Sequence, residues 1–319
     1  MSEIEGKKVF ITGGGGFIGS AIAGRLIEKN KIVIYDNFSR DSLSGKDFTN
    51  HNNLRIVKGD VLDLEKLRKE MKGANYIVHC AGIAGIDTVA LSPTRTLEVN
   101  TVGSINVLKA AAQLDKCLRV VCFSTSEVFG QRAFSSQETD TSVIGAAGEA
   151  RWVYAVSKLA EEHMAIAFHK EKGLPTAVVR PFNIYGPGQV GEGAIKVFIE
   201  QALRGETLCV HGEGTQIRAW CYVDDMVDGT LLTMTRPEAI GEAFNIGNHR
   251  SVATIYGLAN TIVRILGSKS TVEFSDRQEA DVELRIPSVK KAKSVLNFEA
   301  KVSLEEGIRR TAAYFKTLM

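Results

Sequence analysis

Apolar residues come in short runs along this chain, and the runs alternate with stretches of helical spacing. "KVFIT" at 8–12 reads as a short buried strand, and Ile18, Ile22 and Leu26 then recur at the spacing of a helix over 17–29. Further strand-length runs follow at "KIVIYD" (31–36), "LRIVKGD" (54–60), "NYIVHCAG" (75–82), "RVVCFST" (119–125) and "TAVVRP" (176–181). Helical spacing fills 63–71, 94–114 and 154–172 between them. Strands alternating with helix-length crossovers predict an α/β fold with a doubly wound parallel sheet, the Rossmann arrangement, carrying a smaller C-terminal substrate-binding lobe.

The alternation loosens after Arg180. Four of the six prolines (Pro175, Pro181, Pro187, Pro237) fall in that neighbourhood, beside the glycine-rich "YGPGQVGEG". This places a Rossmann domain over 1–180, joined by part of 216–252, and the substrate lobe mainly over 181–319. The segment 131–151, rich in Ser, Gln, Glu, Thr and Gly, predicts a surface loop that could cover a ligand.

Five glycines in "VFITGGGGFIGS" (9–20) join the first strand to the first helix. Gly14-x-Gly16-x-x-Gly19 fits a dinucleotide fingerprint: a glycine for the turn, one for close approach of a pyrophosphate, one for close helix–strand packing. The pyrophosphate would sit on the amides at the helix N-terminus, around Gly13, Gly16, Phe17, Ile18 and Gly19. Asp36 closes the second strand about 20 residues past Gly16, where an acid bonds an adenosine ribose and repels a 2′-phosphate. NAD is therefore favoured over NADP, with Arg40 near enough to temper that preference.

The remaining composition excludes several classes. A formal charge of +2, with 39 basic and 37 acidic residues spread along the chain, offers no stripe for nucleic acid or an anionic membrane. No apolar run approaches the roughly 20 residues of a bilayer span, and "MSEIEGKK" lacks a signal peptide's apolar core, so a cytoplasmic location is expected. Cys80, Cys117, Cys122, Cys209 and Cys221 form no CxxC pair and read as reduced structural thiols; no metal site is expected.

Chemistry is concentrated after the strand at 119–123. Ser124, Thr125, Ser126 and Glu127 leave the carboxyl end of that strand, where doubly wound sheets bind ligands. Tyr154 and Lys158 are four apart on a predicted helix and share a face. An ammonium beside a phenol stabilises the phenolate, so Lys158 is expected to lower the Tyr154 pKa and make it a usable base.

With these residues in place the chain resembles the extended short-chain dehydrogenase/reductases that modify nucleotide sugars: 4-epimerases, 4,6-dehydratases and UDP-glucuronate decarboxylases. The resemblance rests on "TGGGGFIG", "DN" at Asp36, "GDVLD", "HCAG", "VNTVGSINVLKAA", "STSEVFG", "YAVSK", "RPFNIYGPG", "GEGTQIRAWCYVDDMVDG" and "FNIG". It implies that Tyr154 takes a sugar hydroxyl proton while hydride passes to NAD, that Thr125 bonds the same oxygen, and that Lys158 holds the nicotinamide ribose. It also implies adenine contacts at Asp60 and Val61, and extends the cofactor site to Asn37, Ala81, Gly82 and Asn100. Asn183 and Arg218 are implied for the nucleotide diphosphate, which suits a guanidinium. A homodimer through the helices at 94–114 and 154–172 is implied as well.

The three reactions share a transient 4-ketone. An epimerase needs nothing beyond the tyrosine, a dehydratase needs a carboxylate and an acid near carbons 5 and 6, and a decarboxylase needs a cation to hold a uronate carboxylate. Ser126-Glu127 suits the last two. "RWVYAVSK" at Arg151 and "LRIPSVKKA" at Leu284 are similar to bacterial lipid A precursor decarboxylases and carry Arg285 over as the carboxylate ligand, although a diphosphate-binding arginine is an equal reading. Phe129 stands where relatives have tyrosine, which removes a hydroxyl near the sugar, and the "YDE" tyrosine segment of eukaryotic-type UDP-xylose synthases is missing. The expectation is a UDP-glucuronate decarboxylase, with a UDP-sugar 4-epimerase or 4,6-dehydratase as alternatives. A dinucleotide sensor or a sterol-type reductase is disfavoured by Tyr154 with Lys158, and by Arg218 with Asn183.

Overall fold

Alternate residues of the first strand, Lys8–Thr12, serve opposite faces of a sheet, as the two-residue period of a strand dictates. Val9 and Ile11 join one apolar layer with Ile22, Leu26, Met226 and Val227. Phe10 joins the other with Leu67, Met71, Val107 and Leu108. In the computed structural model, which describes residues 4–191, 193–276 and 282–319, helices therefore cover both faces. The sheet is seven-stranded and parallel, in the order Ala243–Ile246, Thr176–Pro181, Arg119–Phe123, Tyr76–His79, Lys8–Thr12, Lys31–Asp36, Leu54–Lys58. This is the doubly wound α/β arrangement the alternating pattern predicts. Late sequence returns to it, because helix Val223–Thr235 and strand Ala243–Ile246 both belong to these layers.

A separate apolar cluster holds the rest of the later sequence. Ile195, Phe198 and Ile199 of helix Ala194–Arg204 pack with Leu258 and Ile262 of helix Ile255–Leu266 and with Ile308 and Phe315 of helix Leu304–Lys316. A four-stranded sheet joins this part to the Rossmann layers, in the order Val252–Thr254, Ile217–Ala219, Leu284–Pro287, Arg132–Ser136.

That last strand corrects the loop expected over 131–151. Arg132–Ser136 pairs parallel with Leu284–Pro287, with Ala133 opposite Arg285. Its sequence, RAFSS, lies at a sheet edge with only Ala133 and Ser136 buried, so it carries no apolar alternation to read. The helix expected over 94–114 is also interrupted: α-helix Pro93–Leu97 and α-helix Gly103–Ala111 flank a π-turn, Glu98–Val102. Such a turn re-aims a side chain, here Asn100.

Candidate active site

The carboxyl ends of the central strands open onto a cavity of about 860 Å³. At the end of the first strand Gly13 has φ +67°, and a Cβ there would lie 2.5 Å from the Ala81 amide nitrogen. The tight turn thus belongs to Gly13, one residue before the Gly14 to which the fingerprint template assigns it. Gly19 closes the cradle from the other side, where a Cβ would meet the Gly13 carbonyl oxygen at 2.4 Å. Helix Phe17–Leu26 starts at Gly16 with no side-chain cap, so its first-turn amides are presented toward the cavity that Phe17, Ile18 and Gly19 line. Bare backbone and an uncapped helix N-terminus fit a pyrophosphate. Gly19→Ala is expected to cost about 1–3 kcal/mol from overpacking, read by denaturant unfolding, and to weaken dinucleotide retention in the purified protein.

Asp36 ends the second strand, and each of its oxygens accepts one amide: Oδ2 from Gly15 at 2.8 Å and Oδ1 from Phe38 at 2.7 Å. Burial pushes its pKa up, against the pull of those amides. Asn37, Asp60, Val61, Ala81 and Gly82 line the same end. Arg40 reaches across it, donating to the Ala84 carbonyl at 2.8 Å and to Thr88 Oγ1 at 3.2 Å.

The opposite end gathers the reactive groups. Thr125 accepts the Glu127 amide at 3.2 Å, starting the turn Ser126–Phe129, and its hydroxyl is hydrogen-bonded to the Tyr154 phenol. Tyr154 and Lys158 project from helix Val153–Lys172, and Lys158 Nζ donates to Glu161 Oε2 at 2.6 Å, both side chains being buried. Burial raises the Tyr154 pKa, Lys158 lowers it, and Glu127 and Glu161 raise it again, so the net direction is up. The expected lowering by Lys158 is present and outweighed, because partial burial disfavours the phenolate and two carboxylates stand nearby. Burial works against the charge on Lys158, but Glu161 and Tyr154 more than restore it.

Beyond the tyrosine, Arg151 Nη1 donates to Glu127 Oε2 at 2.6 Å. Arg285 lines the cavity from strand Leu284–Pro287, with Nη2 anchored on the Gly130 carbonyl at 2.7 Å. Asn183 also lines it, with a left-handed backbone (φ 45°) and its amide donating to the Ala219 carbonyl at 2.8 Å. A non-glycine residue in that region is uncommon, and asparagine tolerates it best.

Comparison with known proteins places the chain in a family. The model of the NAD dependent epimerase/dehydratase family matches residues 9–247. The chain belongs to this family. It is 32% identical to a UDP-N-acetyl-alpha-D-glucosaminuronate decarboxylase of Bacillus cytotoxicus, covering 98% of each chain. It is 33% identical to UDP-glucuronic acid decarboxylase 1 of Danio rerio, over 99% of this chain and 74% of that one. Among solved structures, a UDP-glucuronic acid 4-epimerase from Bacillus cereus, in complex with UDP-glucuronic acid and NAD, superposes with TM-score 0.86 at 26% identity, covering 98% of this chain and 100% of that one.

This family member is an NAD-dependent enzyme, and its cavity does not take in every residue expected there. Asn100 stands behind the wall: its side chain accepts the Ile83 amide at 2.8 Å and donates to Ser157 Oγ at 3.0 Å. Arg218 is buried on strand Ile217–Ala219, in register with Arg285, and is not part of the lining. Phe129 is buried against Phe182, with the Arg180 guanidinium 4.9 Å from its ring. Phe129 is not part of the cavity lining. Three residues escape the sequence reading: Arg95, 3.0 Å from Asp60; Arg151; and Glu161. Only Glu161 leaves a signal, its spacing of three from Lys158, and the same spacing describes any solvated helix pair.

Proposed function

We propose that this enzyme decarboxylates a UDP-linked hexuronate through a transient 4-ketone. The observation that carries the reading is the meeting of Arg285 and the Glu127–Arg151 pair with Thr125 and Tyr154 at one end of the cavity. A substrate carboxylate needs a cation, and Arg285 supplies one beside the reacting carbons. The names of the relatives and the uronate bound in the Bacillus cereus epimerase support the same substrate class.

NAD, when bound, supplies a reversible two-electron acceptor for carbon 4. Tyr154 removes the proton of the 4-hydroxyl and Thr125 holds that oxygen, while Lys158 stabilises the phenolate and reaches the nicotinamide ribose. Oxidation at carbon 4 makes the sugar a β-keto acid. Its carbon 5–carbon 6 bond then breaks, carbon dioxide leaves, and the electron pair moves into an enolate that takes a proton from water at carbon 5. Tyr154 returns its proton to the 4-oxygen as the ketone is reduced, so the tyrosine makes no net contribution of protons. The cofactor would be held by Gly13, Gly16, Phe17, Ile18, Gly19, Asp36, Asn37, Arg40, Asp60, Val61, Ala81 and Gly82, with Asn100 bracing that wall. The diphosphate is assigned to Asn183; Arg218, expected beside it, lies buried behind the lining on strand Ile217–Ala219.

Ser126 and Glu127 face the sugar. A 4,6-dehydratase needs a carboxyl group that gives and takes protons, whereas Glu127 commits Oε2 to Arg151, which favours a positioning role. An NMR time course with UDP-glucuronate, beside UDP-glucose and UDP-N-acetylglucosamine, tests the reading. Loss of carbon 6 is the expected result; an axial 4-hydroxyl signal with carbon 6 retained would make the enzyme an epimerase.

The same proposal makes the enzyme a cytoplasmic homodimer. Among the described residues no helix is long and apolar enough to cross a membrane. Leu97, Val102 and Val156 are exposed on neighbouring helical segments that pack together, as a helical dimer face requires, and sedimentation of the purified chain reads it.

A further inference from the structure

The carboxylate of Glu161 is fully buried, lies one helical turn beyond Lys158 and has no part in the steps above. Lys158 Nζ is 2.6 Å from its Oε2. Glu161 Oε1 is buried with no hydrogen-bond partner among the described residues. Near it the Ser104 hydroxyl donates to the Asn100 carbonyl and lies 2.9 Å from His79 Nε2, and His79 Nδ1 is 2.7 Å from Thr12 Oγ1, all of them buried. A buried ion pair is costly to desolvate and is weak evidence of a stabilising purpose. A role in the chemistry of the lysine is the stronger explanation.

We infer that Glu161 is a positioning residue that holds the Lys158 ammonium in place and offsets its charge at Tyr154, setting the pH range over which the tyrosine works. Charged and titratable groups face this centre from each element around it. Tyr154, Lys158, Glu161 and Glu162 come from the helix, Glu127 with Arg151 from the adjoining turns, His79 and Cys80 from the end of the fourth strand of the chain, and Cys122 from the fifth. His79 is pushed down to about 3 by burial and by Lys158, so it stays neutral, and burial pushes both thiols up. Glu162 is paired with Arg180, so the charges acting on Tyr154 are Lys158, Glu127 and Glu161. Of the two carboxylates, only Glu161 acts directly on the lysine.

Removing one negative charge here stabilises the phenolate and destabilises the ammonium, so both pKa values fall together. The test uses NAD-loaded protein and does not depend on the substrate assigned above. Phenolate absorbance in the near ultraviolet is titrated in wild type and in Glu161→Gln, each with its own Tyr154→Phe partner subtracted to isolate Tyr154. The midpoint of Glu161→Gln is expected to lie about one pH unit lower, and Glu161→Asp to return part of the way. An unchanged or higher midpoint in folded Glu161→Gln overturns the inference. With a turned-over substrate, both limbs of the kcat/KM profile should move to lower pH. A loss of rate with both limbs in place would assign Glu161 to structure alone. Should no nucleotide sugar react with wild type, the proposed function fails while the titration still decides this point.

Discussion

Tyr154→Phe is expected to lower turnover by about 10³-fold while leaving the protein folded and loaded with cofactor. Phenylalanine keeps the ring and its place on helix Val153–Lys172 and removes only the hydroxyl that meets Thr125. Among the described residues around Thr125 the other candidates are poorer bases. Thr125 and Ser126 are alcohols, His79 is buried behind the wall and held neutral, and Glu127 is committed to Arg151. The pH dependence gives a second reading of the same residue. Because burial and two carboxylates raise the Tyr154 pKa, a rate that depends on the phenolate increases as pH rises toward that pKa. The residual activity of the Phe variant should lose that rise. A loss below about tenfold, or an unchanged pH profile, would remove Tyr154 from the proton transfer.

The parallel sheet and its cofactor end were legible because both rest on local pattern. Buried strands such as "VFIT" and "RVVCF" are apolar at nearly every position, and the glycines and Asp36 follow at fixed offsets along one βαβ unit. The sugar end is assembled from distant sequence. Arg285 reaches the cavity because Leu284–Pro287 lies between Ile217–Ala219 and Arg132–Ser136, and the last of these is a polar edge strand that reads as loop. Arg151 meets Glu127 across 24 residues of sequence with no periodic relation between them. The direction of the Tyr154 pKa was misread for a related reason. Lys158 at i+4 is visible from the helix period, whereas the burial that outweighs it depends on tertiary packing. Gly13 shows the same limit on a small scale: that it takes φ +67° and lies where a Cβ would meet Ala81, past the end of another strand, cannot be told from four consecutive glycines.

Arg285→Gln discriminates between the two roles open to that arginine. If its guanidinium holds the uronate carboxylate, removing it leaves a substrate charge without its partner where Arg285 is buried, a cost of about 3 kcal/mol. That corresponds to a roughly 10²-fold loss in kcat/KM for the uronate. Affinity for UDP, which has no such carboxylate, should be nearly unchanged, so the two are compared by turnover and by UDP inhibition in the same preparation. If Arg285 instead binds the diphosphate, UDP affinity falls by as much as uronate turnover, and the carboxylate assignment is lost. The strand supplies the reason to expect the first result. Nη2 of Arg285 is anchored on Gly130, at the end of the turn that carries Ser126 and Glu127, which fixes the guanidinium on the side of the cavity where the sugar carbons meet Tyr154. Asn183 stands on the turn before strand Ile184–Tyr185 with its amide bonded to Ala219, next in sequence to the Arg218 that faces Arg285 in the sheet, so the two roles are separated by the UDP comparison and not by position along the wall.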